Sequence, residues 1–307
     1  MNLKQPFFKL PFSPDVAKAA KEVTFDLIES DWIPHASGFE GNSYIPILSY
    51  QGTINNLKRT PIKPTWFAEK LPSVTDLLKS FDFPIGISRL MRLEAGHEVP
   101  VHSDTNEYWD KRVRIHIPLV TSDEVFFACD KEEVIMRQGE AWTFDNWRRH
   151  GVRNKGTQKR IHLVFDTGIT NLFDNQGDLK AGLEMIAGAE LTLENDPTPA
   201  IKSSADLEET FCPLLRVLER CEDRAEANAW LKLIRNYQDE WKEVEARFGS
   251  KPQAVAHYQK AMNTAMQGAD KLGGSLRLHA NNARVISVFK ARVANSMNLQ
   301  ILFNHGG

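Results

Sequence analysis

The sequence predicts a mainly β amino-terminal core with flanking helices, followed by an all-α carboxy-terminal region. Short apolar runs with strand-like alternation fill Gly86 to Asp166. After Asp166 the apolar period changes from two to about 3.6, the helical value. Between them, Asn195 to Ser204 (NDPTPAIKSS) is polar and proline-rich, which marks a boundary. The expected organisation is a β domain over residues 1–170, a linker over 171–202 and a helical domain over 203–307.

The amino-terminal run Met1 to Pro14, with its Phe-Pro pattern, reads as a tether packed on the first strands. Asp15 to Ser30 has helical spacing, with Val16, Ala19, Val23, Leu27 and Ile28 on one side. Residues 44–51 read as a strand ending in a turn at Gly52, and Pro46, which lacks a donor, places that strand at an edge. Leu71 to Phe81 reads as a short helix before the strand Gly86 to Leu93. Ala141 to Phe144 and Ile161 to Phe165 are two further strands. In the helical region Ser203 or Ser204 is a cap ahead of Leu207, Phe211, Leu214, Leu215 and Leu218. Trp230, Ile234, Tyr237, Trp241, Val244 and Phe248 then form one continuous stripe. Gln253 to Leu272 and Asn281 to Met297 are two more helices, separated by Gly273 and Gly274. The stripe packs on the β domain, on the other helices or against a second copy in a homodimer.

His102 and Asp104 form an H-x-D pair. On an extended segment, side chains two apart point the same way. A distal His150 follows one strand, and Arg160 opens the next. Two imidazoles and a carboxylate on one face of a ferrous ion leave the other face for a bidentate 2-oxo acid and dioxygen. A guanidinium on the adjacent strand is suited to pair in forked fashion with the far carboxylate of that acid. The metal-site and catalytic candidates are therefore His102, Asp104 and His150, with Arg160 as anchor for 2-oxoglutarate.

Four stretches carry a resemblance: Arg89 to Asp104 (RLMRLEAGHEVPVHSD), Arg112 to Leu119 (RVRIHIPL), Gly139 to Asn154 (GEAWTFDNWRRHGVRN) and Arg160 to Asp166 (RIHLVFD). Together they resemble the aspartyl/asparaginyl β-hydroxylase family of Fe(II) and 2-oxoglutarate dependent dioxygenases. The resemblance implies a double-stranded β-helix (jelly-roll, cupin-type) core, with His102 and His150 as iron ligands and Arg160 on the cosubstrate. It matches Arg114 and His116 to the family's R-x-H strand, whose members contact 2-oxoglutarate or the substrate carboxylate. Animal peptide-hydroxylating members lack the carboxylate ligand. This chain supplies Asp104, as bacterial small-molecule members of the proline cis-4-hydroxylase type do. Where animal members carry a cosubstrate-binding Ser this chain has Met91, which passes that task to Arg92 or a residue elsewhere. The implied chemistry consumes O2 and 2-oxoglutarate, releases succinate and carbon dioxide, and hydroxylates a C–H bond.

Around these residues each candidate has two readings. Tyr108 and Trp109, in the insert after Asp104, are either a substrate-contacting lid or a hydrophobic plug. Arg148, Arg149 and Arg153 either hold an anionic substrate or are solvated. A buried Arg needs a paired charge, so Arg112 or Arg114 is expected to bind an acid. His162, two after Arg160, either touches cosubstrate or substrate or is a hydrogen-bonded core histidine, and His97 reads as an exposed turn residue. Surplus arginines favour a small carboxylate-bearing substrate, a free or derivatised amino acid. Peptidyl Asp/Asn β-hydroxylation, a cupin-type enzyme without a 2-oxo acid and a non-catalytic cupin-like binding protein remain as alternatives.

Composition sets the outer limits. With 38 basic against 40 acidic residues there is no basic stripe to track a phosphate backbone, so nucleic acid is not an expected partner. Cys129, Cys212 and Cys221 lack metal-type spacing and suit a reducing compartment. No signal-like or membrane-spanning apolar run occurs, and the expectation is a soluble cytoplasmic protein without membrane contact.

Overall fold

The structure is a computed structural model, and it describes residues 3–35, 38–53, 61–104, 107–186, 188–194, 203–221, 223–249, 254–278 and 284–295. In chain order the elements are β1 (Phe7–Lys9), α1 (Ala17–Phe25), β2 (Ile33–Pro34), β3 (Asn42–Tyr50), β4 (Ile62–Pro64), α2 (Trp66–Lys70), α3 (Pro72–Lys79), β5 (Ser88–Leu93) and β6 (Glu98–His102). They continue as β7 (Arg112–Val120), β8 (Val125–Cys129), β9 (Glu132–Val134), β10 (Trp142–Phe144), β11 (His150–Asn154), β12 (Arg160–Gly168) and α4 (Ile169–Leu172). The helical region holds α5 (Ser204–Leu218), α6 (Arg224–Phe248), α7 (Ala254–Leu272) and α8 (Val285–Asn295).

The strands build two antiparallel sheets. The larger has the order β1-β10-β7-β12-β5-β3-β2, with β4 also on β3, and the smaller has the order β6-β11-β8-β9. This is a double-stranded β-helix with flanking helices, the expected core. Side-chain alternation gives the large sheet two different faces. Ile115, Ile117 and Leu119 of β7 and Ile161, Leu163 and Phe165 of β12 belong to one core cluster together with Val23 of α1 and Leu77 and Leu78 of α3. The alternate residues of these strands form the other face. There, across β12, Arg160 stands opposite Leu93, and His162 opposite Met91 and Pro118. Val164 stands opposite His116, and Asp166 opposite Arg114. Leu93, Phe144 and Phe7 join Val125, Phe127, Cys129 and Val152 of the smaller sheet in a second cluster.

Local chemistry fixes the flanking helices. Pro72 opens α3, and the Glu22 carboxylate accepts from the backbone N–H groups of Ser73 and Val74 at 2.8–3.1 Å. An anion at a helix amino terminus is favourable. The helix expected over Asp15 to Ser30 stops at Phe25, and Glu29–Asp31 form a 3-10 turn. Polar partners account for this ending: Asp31 accepts from the Ile28 N–H and pairs with Lys70, while Glu29 pairs with Arg92. Ile28, expected on the inward side, is exposed.

Pro46 does not make β3 an edge strand, because β5 pairs along one side while β2 and β4 share the other. It sits between the stretches paired with β2 and β4, and its carbonyl accepts from the Thr65 hydroxyl at 2.6 Å. The described part of the expected linker also differs. Phe81 bridges Met185 and Ile85 bridges Leu193, and Leu179, Leu183, Met185, Leu191 and Leu193 pack against the first core cluster. Residues 171–186 and 188–194 are thus laid down on the β unit, and the expected linker residues 195–202 lie outside the described residues.

The chain divides into two units, residues 1–102 with 111–197, and residues 198–307 with the segment 103–110. In the second unit Ser203 caps α5 by accepting from the Asp206 N–H at 3.2 Å. The stripe on α6 turns inward on the other helices. Trp230 packs on Phe289, and Trp241 lies 4.3 Å from the Tyr258 ring. Arg292 of α8 is fully buried and pairs with both oxygens of Asp110. Tyr108 and Trp109, in the same segment as Asp110, are buried and stack edge to face at 4.9 Å. Trp241→Ala is expected to cost the helical unit about 3–5 kcal/mol, the usual penalty for emptying a buried aromatic site. Urea unfolding followed by far-UV circular dichroism checks this. Among the described residues no helix is long and apolar enough to cross a membrane.

Candidate metal and cosubstrate site

His102 ends β6 and His150 opens β11, and these two residues face each other directly across the strand pair. Their ring centroids are 4.4 Å apart. The ligand atoms of His102, Asp104 and His150 all lie within 4.8 Å of one another. A register shift follows His150, where Gly151 lets β11 approach β6. A Cβ on Gly151 would come within 2.9 Å of the Val99 carbonyl oxygen. Bulges of this kind re-aim side chains beside active sites.

The imidazoles are oriented from behind. His102 Nδ1 lies 2.8 Å from the Pro100 carbonyl and His150 Nδ1 lies 2.9 Å from the Arg148 carbonyl. A carbonyl can only accept, so both Nδ1 atoms carry hydrogen, and Nε2 is the ring atom of each whose lone pair suits a cation. Arg148, one of the candidate substrate arginines, holds the loop that presents His150. Its guanidinium reaches Asp130 at 2.8 Å and Asp145 at 3.3 Å, and donates to the Leu3 carbonyl. Asp145 in turn accepts from the Trp147 and Leu3 N–H groups at 3.1 Å. Burial raises the Asp145 carboxyl above its ordinary value, against these hydrogen bonds and Arg148. Phe144 and Phe127 close on His150 at 4.7 and 6.4 Å, an apolar wall beside the ligands.

A ring series continues inward. Phe144 lies 5.5 Å from His116, and His116 lies 5.9 Å from His162. Arg160 Nη2 donates to His162 Nδ1 at 2.7 Å. Arg160 is buried, no carboxylate pairs with it among the described residues, and its Nε has no hydrogen-bond partner. Burial pulls its guanidinium down to about 9. Both ring nitrogens of His116 and the Nε2 of His162 are likewise buried without partners. Burial first, then the nearby Arg160, pushes both imidazoles well below the usual range, so they are neutral. An uncompensated buried cation beside unsatisfied ring nitrogens is costly unless an anion occupies the space.

The other arginines divide differently from expectation. Arg114 donates to both oxygens of Asp166 at 2.8 and 3.1 Å, and Arg112 donates to Glu194 at 2.9 Å. The acid expected from outside for one of these two is met by the protein's own carboxylates, and burial raises Glu194 above the ordinary carboxyl value. Arg92 stands on the opposite face of β5 from Met91. It pairs with Glu29 at 2.6 Å, donates to the Ser43 hydroxyl at 2.9 Å and stacks over Trp32, so it does not stand in for the family's serine. Arg149 is exposed, and Arg153 pairs with Glu133 at the surface. His97 is half-buried, with Nδ1 on the Ala95 carbonyl at 2.9 Å, rather than exposed.

Residues 53–168 match the family model described as aspartyl/asparaginyl beta-hydroxylase. Over this stretch the chain is similar to the aspartyl/asparaginyl β-hydroxylase family. The matched segment contains His102, Asp104, Arg114, His116, His150 and Arg160. No curated protein matches the sequence. Among solved structures, HygX from Streptomyces hygroscopicus, with nickel and 2-oxoglutarate bound, is 13% identical, with 62% of this chain and 92% of that chain covered and a TM-score of 0.36. A 2OG-Fe(II) oxygenase family oxidoreductase from Burkholderia pseudomallei is 14% identical, covering 44% and 72%, with a TM-score of 0.32. A predicted oxalate decarboxylase from Thermotoga maritima is 16% identical, covering 45% and 90%, with a TM-score of 0.28.

Proposed function

We propose that the chain is an Fe(II) and 2-oxoglutarate dependent dioxygenase that hydroxylates a C–H bond of a small carboxylate-bearing substrate, a free or derivatised amino acid. The observation that carries this reading is the buried Arg160 guanidinium, with no carboxylate paired to it among the described residues, linked through His162, His116 and Phe144 to a His-Asp-His cluster. His102, Asp104 and His150 would hold the iron. Arg160 would hold the distal carboxylate of 2-oxoglutarate, with His116 beside it. Iron and 2-oxoglutarate together supply the dioxygen activation that a side chain cannot provide.

The chain's own share is placement and exclusion of water. The Pro100 and Arg148 carbonyls hold both imidazoles in the Nδ1–H tautomer. Phe127 and Phe144, packed on His150, would keep water from that side of the site. Because Asp166 and Glu194 already neutralise Arg114 and Arg112, the charge on Arg160 is left for the cosubstrate.

A succinate-release screen with iron, 2-oxoglutarate and ascorbate over free amino acids, their N-acylated forms and small peptides tests the proposal. A free or acylated amino acid is expected to stimulate turnover. Stimulation by peptides alone would sink the small-molecule reading. The guanidinium also sets a pH limit. Its proton is held only up to about 9 in the free protein. Below that pH an anion meets a cation, and above it a neutral group, so 2-oxoglutarate affinity is expected to fall as pH rises through about 9. Calorimetric titration from pH 7 to 10 measures this.

A further inference from the structure

His162 stands two residues after Arg160 on β12, on the same face and 1% exposed. A guanidinium has no acceptor, so the 2.7 Å contact makes His162 Nδ1 the acceptor and Arg160 Nη2 the donor. The imidazole is neutral, and its hydrogen therefore sits on Nε2. That N–H is buried and meets no acceptor among the described residues. His116, 5.9 Å away between centroids, has both nitrogens unmet. Leaving several such groups unsatisfied in one buried place is costly, and a native structure tolerates it where a ligand completes the set. The inventory here is a guanidinium and an Nε2–H, with no carboxylate paired to Arg160 among the described residues. It calls for a group that is anionic and only accepts.

We propose that His162 is a positioning residue for Arg160, orienting its guanidinium toward the distal carboxylate of a bound 2-oxo diacid. Nδ1, accepting from Nη2, holds the guanidinium in place. This rests on the cosubstrate reading above. It adds a specificity rule: 2-oxo acids with a far carboxylate gain from His162, and 2-oxo monoacids do not.

The test is calorimetry on the full-length protein loaded with Ni2+, titrated with 2-oxoglutarate and with pyruvate. His162→Leu is expected to weaken 2-oxoglutarate by about tenfold or more, as loss of hydrogen bonding around a charged group does, and to leave pyruvate and Ni2+ affinity within about twofold. His162→Asn, whose Oδ1 can accept from Arg160, is expected to recover part of the loss. Should His162→Leu fail to fold, His162→Asn and His162→Gln replace it: weakened 2-oxoglutarate with pyruvate unmoved supports the proposal, and 2-oxoglutarate unmoved in both overturns it. Equal losses for 2-oxoglutarate and pyruvate would mark a merely structural role and overturn it. Wild-type protein that does not bind 2-oxoglutarate overturns the cosubstrate reading and this inference together. Wild-type binding that His162→Leu leaves intact overturns this inference alone.

Discussion

Arg160→Met is expected to reduce 2-oxoglutarate affinity by about 30-fold or more and to leave the folded protein as stable as before or more so. The first half follows from removing the charged partner of a buried carboxylate, which costs about 2–5 kcal/mol. The second follows from the missing protein acid. Arg160 carries its desolvation without a carboxylate of its own, its only hydrogen-bond partner among the described residues being His162. Replacing a buried charge by an apolar side chain of similar length is commonly neutral or stabilising. The two measurements are calorimetric titration with 2-oxoglutarate and thermal unfolding without it. A residue kept only for the fold would show the reverse pattern, with a lower melting temperature and ligand affinity preserved among the folded molecules. Unchanged turnover in Arg160→Met would favour a metal enzyme that needs no 2-oxo acid.

His150→Ala is the second large effect. It removes the buried member of the cluster, on which Phe144 packs. Loss of an outer-shell partner of a metal ligand typically lowers metal affinity by about 10–100-fold, and loss of a ligand itself is expected to exceed that. Competition titration with Mn2+ or Ni2+ against a chromogenic chelator reads this directly, and 2-oxoglutarate turnover should vanish with it. Asp104→Ala is expected to act in the same direction. Wild-type metal affinity in both variants would remove the cluster from the chemistry altogether.

The parts of this site that the sequence announces are those set by strand geometry. H-x-D declares itself because a period of two puts both groups on one side. His150 declares itself by its place between two strands, and the register then sets it directly opposite His102. Arg160 and His162 are legible for the same reason. What the sequence does not announce is which distant group neutralises which. Arg112 finds Glu194, 82 residues on, and Arg92 finds Glu29, 63 residues back. No local pattern encodes such pairs, so Arg112 and Arg92 look like free cations until the chain is folded. Arg148 was hidden in another way. It sits two residues before His150 and reads as a surface or substrate arginine, yet its carbonyl and its guanidinium act together, one on the ring and the other on the loop. Helix α1 ended early because ion pairs of Glu29 and Asp31 compete with one more helical turn, a balance that apolar spacing does not register.

The short segment 103–110 is threaded into the helical region although the chain reaches it straight from His102. Genetic trimming at Pro197 would therefore not yield a clean β unit. Asp110 would lose Arg292, and the segment that holds the buried Tyr108 and Trp109 would lose the rest of its unit. Such a shortened polypeptide is expected to be sticky and prone to aggregate, so any attempt to shorten the chain has to redesign that segment together with the cut.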